Sequence, residues 1–516
     1  MNVFTSNHGF INIVMITLPQ KFNFPKHIFE INKDRSSKFA YIDDTRSITY
    51  GQLESRSRGL AKSLLDQGIC QEDKVLIAMT DTVDFPVAFL GCLLAGIVPV
   101  LANPRTVKSA LEFYVENSNA KAIISSDVAV DTFKEILNTS KHKPKFFFDE
   151  AGFANLVQDS DFDPPTTNRD AEAYWLFTSG GSGEPKAVVH SHGALAGVGH
   201  GHGVAYKYTD NDVVYATAKL FFAYGICHSV ASLLVAGSTA ILASKIPTPA
   251  SVKKTFDQHK PTIFVTVPSM YVLLLNSGLD LSNLSMRACI SSGEMLPTPI
   301  WEEWERVTGT ELYVLYGTTE FTGCLMCNRE GTKKIGTVGK ETPGYEVEIR
   351  DQDGRPVDTG AIGDLYLKGP SMGMYYHNDL PRSRFVFRGE WCFSGDKFFK
   401  DEEGFYHFVG RSNDMMKVAG QWVSPVEIEN ILTSHPLIQE AGACGDLDEN
   451  GLTQVSAHVV LRPGVEKPDN LEHQLKTLIR KNLEYYKCPK TIEVKESLPK
   501  NANGKLQRFL LKKTNS

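Results

Sequence analysis

From Phe39 to about Glu320 the chain repeats one pattern, a short apolar β-rich run followed by a longer helical stretch. "YGQLESRSRGLAKSLLDQG" reads as helix, "KVLIAM" as strand, "VDFPVAFLGCLLAG" as helix and "VPVLAN" as strand; "TIFVTV", "ACIS" and "ELYVLY" continue the series. Strands alternating with helices are joined by crossovers and so lie parallel, in a sheet whose faces the helices cover. In open α/β sheets ligands bind beyond the carboxyl ends of the strands. Three strands run straight into polar, glycine-bearing turns: "YWLF" into "TSGGSGEPK", "ACIS" into "SGEML", and "ELYVLY" into "GTTE". The expectation is that these turns share one site.

Past Gly336 the texture changes to short strands broken by turns, with Asp353 and Gly354 as a hairpin turn between "YEVEIR" and "GDLYLKG". Past Arg411 it changes again. "SPVEIENILTSHP" is a capped amphipathic helix, "QVSAHVVL" a strand, "LEHQLKTLIRKNL" a helix and "TIEVKESLP" a strand, an α+β domain of about a hundred residues. A chain of 516 residues exceeds one compact core, and the predicted division is 1–411 and 412–516.

Bulk properties remove several function classes. With 54 basic against 60 acidic residues and a net charge of -6, the chain lacks the positive surface that nucleic acid selects. Nine cysteines, scattered singly apart from Cys324 and Cys327, point to reduced thiols and a cytoplasmic setting. The apolar patch near the start is interrupted by Asn12 and lacks a basic lead, so no signal peptide is expected, and Met15 is a candidate start. No run reaches the roughly twenty apolar residues that span a bilayer, so no membrane partner is expected.

Residue chemistry narrows the site. In "TSGGSGEPK" glycines allow successive amide hydrogens to aim at one point, hydroxyls add donors, and Lys186 supplies full charge, which suits phosphate oxygens as well as it suits a plain flexible turn. It is not a Walker A loop, because Pro185 precedes the lysine and Ala187 follows it. "YGTTE" offers an aromatic face, hydroxyls and a carboxylate able to hold Mg²⁺ beside substrate phosphates. "FSGDKF" and "GRSND" place Asp396 and Arg411 in turns, where they could meet a sugar diol or simply pair with each other. Lys505 follows an Asn-Gly turn in "PKNANGKLQR".

Taken in order and spacing, these five stretches resemble the adenylate-forming ligase superfamily, which includes acyl-CoA ligases, adenylation domains and luciferases, over almost the whole chain. The resemblance implies a large N-terminal α/β domain with a distorted β-barrel subdomain and a small mobile α+β C-terminal domain. It implies that Thr178, Ser179, Gly180, Ser182, Gly183 and Lys186 guide the ATP phosphates. Gly181 and Ala187 depart from the usual hydroxyl residue and glycine. It further implies Tyr316, Gly317 and Thr318 at the adenine and phosphates, Thr319 on the α-phosphate, Glu320 as the Mg²⁺ carboxylate, Gly293 and Glu294 along the adenine, and Asp396 with Arg411 on the ribose. Lys505 would bridge carboxylate and α-phosphate in the first step, Asn413 would be the hinge, and Lys417 and Gly420 would line the pantetheine tunnel of CoA.

"KLFFAYGICH" and "WLFTSG" resemble the benzoate:CoA ligase branch, implying an aromatic acid held by Phe222, Ala223, Tyr224 and Gly225 on one side and by Gly336 and Gly339 of "IGTVG" on the other. Where that branch carries histidine, three residues past the Mg²⁺ glutamate, this chain has Gly323, so a substituted benzoate or a cinnamate is expected to fit better than benzoate. With no fused carrier domain after Arg508, the thiol acceptor is expected in trans: CoA or a carrier protein. A nucleotide-binding module without ligase activity is the remaining alternative, which the intact motif set disfavours.

Two further clusters are set aside on sequence grounds. His190, His192, His200 and His202 look metal-like, but no cysteine or carboxylate completes the set nearby. "DLDENG" fails as a calcium loop because its twelfth position is Ala457.

Overall fold

The computed structural model describes residues 17–179, 185–412, 414–418, 421–448, 452–500 and 506–512, without the side chains of Ser179 and Trp422. The alternating pattern becomes two sheets instead of one. A seven-stranded sheet runs Tyr375–Tyr376, Pro185–Ser191, Glu172–Ser179, Val98–Leu101, Lys74–Ala78, Ala122–Ser125, Phe146–Phe148. A nine-stranded sheet runs Lys340–Glu341, Gly323–Cys327, Leu312–Thr318, Ala288–Ser291, Ile263–Thr266, Val213–Ala216, Thr239–Ile241, Phe39–Ile42, Ser47–Thr49. Most neighbours in both are parallel, as crossover helices require.

One apolar core joins the sheets, since Val75 and Ile77 of the first and Val214, Val265 and Ile290 of the second belong to the same cluster. The helix Asp84–Leu94 lies inside it, with every residue from Phe85 to Leu94 buried, as its all-round apolarity dictates. The more amphipathic helix Tyr50–Asp66 starts at a capping box in which Thr49 and Gln52 exchange side-chain and backbone bonds.

The small β subdomain is built on a five-stranded antiparallel sheet: Glu346–Arg350, Gly363–Lys368 and Trp391–Lys400 in succession, with Phe387–Arg388 and Tyr406–Arg411 also pairing with the last. Its first turn falls where Asp353 and Gly354 were read. Asp396 and Arg411, however, are not in turns: they pair across the strands Trp391–Lys400 and Tyr406–Arg411. The turn-like "SGD" is a kink inside a strand, allowed because Gly395 takes φ +77°.

The C-terminal unit follows its sequence pattern closely. Helices Pro425–Thr433 and Leu471–Asn482 pack with the strands Ile438–Leu447, Thr453–Leu461 and Thr491–Val494 around a core of its own. Ser424 caps the first helix and also donates to the Val409 carbonyl, tying this unit to the strand that ends at Arg411.

Candidate active site

The strand Leu312–Thr318 turns back through Thr319 to Thr322 into Gly323–Cys327. Thr322 completes the turn at φ +50° and is fully buried, its hydroxyl 3.2 Å from His190 Nε2. Glu320 faces the seven-stranded sheet. Its carbonyl accepts from Gly373 N at 2.6 Å, and its Oε1 accepts from the Tyr376 hydroxyl at 2.5 Å. Tyr376 belongs to the edge strand paired with Val188, two residues past Lys186. Burial, then Arg382, lowers the pKa of the Lys186 ammonium, while Asp379 and Glu320 act in the opposite sense. Lys186, just past one predicted turn, and Glu320, within another, are therefore brought together from different sheets.

The third turn lies beside the second, because Ala288–Ser291 and Leu312–Thr318 are adjacent parallel strands. Gly293 has φ +95° and is exposed together with Glu294. On the other flank the Tyr316 hydroxyl donates to the Asp396 carboxylate, which is 1% exposed. Arg411 Nε stands 3.0 Å from Asp396 Oδ1. Burial, together with Asp396, pushes the Tyr316 hydroxyl pKa well up, and the same carboxylate raises that of Arg411. Thr318 adds a buried hydroxyl that has no partner among the described residues. Lysine, carboxylates, guanidinium, hydroxyls and an aromatic ring thus surround one strand end, a donor set suited to a nucleotide and its phosphates.

Phe222 precedes the short helix Ala223–Ile226, and the Tyr224 hydroxyl donates to the carbonyls of Ile290, at 3.3 Å, and Thr266, at 3.4 Å. Gly225 and Gly339 have packing reasons of their own: an added Cβ would lie 2.1 Å from Lys219 O and 1.9 Å from the Cys327 carbonyl carbon. Gly336 sits in the same segment at φ +82°. Gly323 is buried, and a Cβ there would meet Tyr345 Oη and Val198 Cγ2 at 3.6 Å.

Gly180, Ser182, Gly183, Asn413, Gly420 and Lys505 lie outside the described residues. What flanks them is defined. Ser179 pairs with Pro185, Lys417 lies in the strand Met416–Val418 facing Gln421–Val423, and Lys500 pairs with Leu506. Arg508 binds Glu429 at 2.6 and 2.9 Å and Asp414 at 3.1 Å, anchoring the chain three residues after Lys505. Arg508 and Tyr376 were not picked out from the sequence: a lone arginine after a motif and a tyrosine in "MYYHND" carry no local signal.

The histidine reading needs correction. His202 does gain a cysteine, because the fold brings Cys227 and His228 to it, and one ligand atom from each of the three lies within 4.8 Å of the others. All nine cysteines are free, and eight of them are at least partly buried.

A model of the AMP-binding enzyme family matches residues 29–377, and one of the AMP-binding enzyme C-terminal domain matches 427–505. The benzoate–CoA ligase of Thauera aromatica is 35% identical over 96% of this chain and 97% of its own length. The structure of a benzoate CoA ligase from Burkholderia xenovorans LB400 superposes with a TM-score of 0.89 at 37% identity, covering 95% of this chain and 99% of that one. That of an anthranilate CoA ligase in complex with anthranoyl-AMP gives a TM-score of 0.91 at 29% identity, covering 96% and 97%. Among the described residues no helix is long and apolar enough to cross a membrane.

Proposed function

We infer that this chain, which belongs to the AMP-binding enzyme family, is an ATP-dependent aryl-carboxylate:CoA ligase that works in the cytoplasm on a substituted benzoate. The supporting observation is the meeting, at one strand end, of Glu320 with Lys186 on one side and the Tyr316–Asp396–Arg411 cluster on the other. In this reading the acid's carboxylate oxygen attacks the α-phosphorus of ATP and pyrophosphate leaves. The CoA thiol then attacks the acyl carbon, loses its proton, and AMP leaves with the carboxylate oxygen.

Two anions must approach in the first step, so positive charge is needed where they meet. Lys186, leaving the hairpin tip, serves the β and γ phosphates with Thr178, Ser179, Gly180, Ser182 and Gly183. Thr319 serves the α-phosphate, Gly293, Glu294, Gly317 and Thr318 line the adenine and its phosphates, and Asp396 and Arg411 hold the ribose. Glu320 fits Mg²⁺: Tyr376 holds one of its oxygens, and this cation takes one or two carboxylates beside substrate phosphates. When bound, the ion supplies charge neutralisation at those phosphates.

Phe222, Ala223, Tyr224, Gly225, Gly323, Gly336 and Gly339 form the acid pocket in this proposal. Residues 412–516 act as a domain that moves relative to 1–411 about Asn413, bringing Lys505 to the carboxylate for adenylation and Lys417 with Gly420 to the CoA path for thioester formation. CoA is the acceptor we favour over a carrier protein, because the similar enzymes are named CoA ligases.

The test is ATP/pyrophosphate exchange screened over benzoate, hydroxy- and aminobenzoates, cinnamates and fatty acids, followed by thioester formation with CoA. Exchange led by a substituted benzoate is the expected result. Exchange with fatty acids alone would overturn the aryl assignment, and adenylation without transfer to CoA would move the acceptor to a carrier protein.

A further inference from the structure

Behind Tyr224, whose ring lies 4.9 Å from that of His228, is a polar cluster that the ligase reaction does not use. His202 comes from the helix His192–Ala205, and Cys227 and His228 open the π-helical turn Cys227–Ser232. Their exposures are 1%, 2% and 0%. The two imidazoles stand edge to face with centroids 4.3 Å apart. Each ring has an oxygen at Nδ1: Tyr208 Oη lies 2.7 Å from His228, and Ser232 Oγ lies 3.3 Å from His202. Neither Nε2 has a partner among the described residues.

That arrangement is costly for a plain core. A buried nitrogen without a partner forfeits its hydration, and here two do so side by side. It is the arrangement a metal requires. A ligating histidine donates its other ring N–H to an oxygen, which fixes the tautomer and leaves a lone pair on the opposite nitrogen. With Tyr208 and Ser232 accepting from Nδ1, each Nε2 keeps a lone pair for a metal, and a ring nitrogen of each histidine lies within 4.8 Å of the Cys227 sulfur. Single-turn π segments inside helices are frequent at functional sites.

We propose that His202, Cys227 and His228 form a buried three-coordinate site for a thiophilic monovalent d¹⁰ cation, copper(I). The ligand set selects the charge. Two neutral imidazoles and one thiolate carry a single negative charge, so a monovalent cation makes the buried site neutral, whereas a divalent one leaves an unpaired charge in the core. Sulfur with two nitrogens matches a soft cation, and the group contains no carboxylate that would favour a hard one. Occupied, the site cross-links the helix His192–Ala205 to the turn that follows Tyr224.

The test is anaerobic titration of the full chain with copper(I), and separately with zinc, under a competing chelator, then desalting, metal analysis and X-ray absorption. The parent is expected to retain about one copper with one sulfur and two nitrogens around it, three donors in all. Cys227→Ser, His202→Asn and His228→Asn should lose the metal. Tyr208→Phe should weaken retention about 10- to 100-fold by removing the oxygen that sets the His228 tautomer. Cys70→Ser, which removes the one exposed thiol, should retain it. The proposal is overturned by a parent that holds no copper, by zinc held in its place, or by a shell of two or more sulfurs, which would locate the metal at Cys324 and Cys327. It is also overturned if the ligand variants keep the metal, or change only the KM for hydroxylated acids, which would make the imidazoles substrate contacts. Should a ligand variant fail to fold, the absorption spectrum of the parent decides.

Discussion

Tyr376 donates its hydroxyl proton to Glu320 Oε1 at 2.5 Å, joining the edge strand of one sheet to the turn at the end of a strand in the other. If Glu320 holds Mg²⁺, this bond aims its second oxygen. Tyr376→Phe is then expected to raise the half-saturating Mg²⁺ concentration about 10- to 100-fold while leaving the KM for the acid unchanged. Mg²⁺ titration of pyrophosphate exchange checks it, and an unchanged half-saturation removes Tyr376 from the metal's support.

Lys505→Ala should nearly abolish acyl-AMP formation yet spare thioester formation from supplied acyl-AMP, because in the proposed mechanism the lysine acts only in the first step. Each half-reaction is assayed alone. Equal losses in both would sink the two-conformation reading.

A bulky residue at Gly420, as in Gly420→Leu, should obstruct the thiol path and slow only the second half-reaction. A matching fall in the exchange reaction would mean that the tunnel lies elsewhere.

Gly323→His should lower kcat/KM for the longer or para-substituted acids and spare benzoate. The added Cβ has ordinary contacts with Tyr345 and Val198, so the ring competes only with a ligand that reaches that wall. The substrate ratio is expected to shift about ten- to two-hundred-fold toward benzoate. Comparing benzoate, 4-hydroxybenzoate and cinnamate on mutant and parent decides it, with an unchanged ratio at intact stability excluding Gly323 from the pocket.

Acid should destabilise the fold. Burial holds His190 down to a pKa of about 3 and His192 to about 4, against 6.5 when unfolded. A depressed base stabilises the fold above its unfolded pKa, and that stability is lost as pH falls towards the folded one, here below about 6.5. Each of these buried rings costs up to ~1.4 kcal/mol per pH unit in that window. Asp81 opposes them, since burial raises its pKa to about 6 and its protonation favours the fold. Two groups outweigh one, so the urea midpoint should fall between pH 7 and pH 5. A constant or rising midpoint would contradict these burials.

Local patterns were legible because they are written within a turn or two of chain. The strand at Lys74–Ala78, the helix Tyr50–Asp66 with its Thr49 cap and the helix that Ser424 begins each carry their own periodicity and punctuation, and the order of "TSGGSGEPK", "YGTTE", "FSGDKF", "GRSND" and "NGK" pointed to the family. Tertiary structure decided what depends on segments far apart. No local period says that Glu172–Ser179 and Leu312–Thr318 belong to different sheets, that Gly395 kinks a strand instead of ending it, or that Tyr376 will stand against Glu320. The histidines show the difference most directly. Read along the chain, His202 has no cysteine beside it. In the fold, helix packing carries Cys227 and His228 across the intervening residues and buries all three together, because apolar burial rewards whichever surfaces meet, irrespective of their separation in sequence.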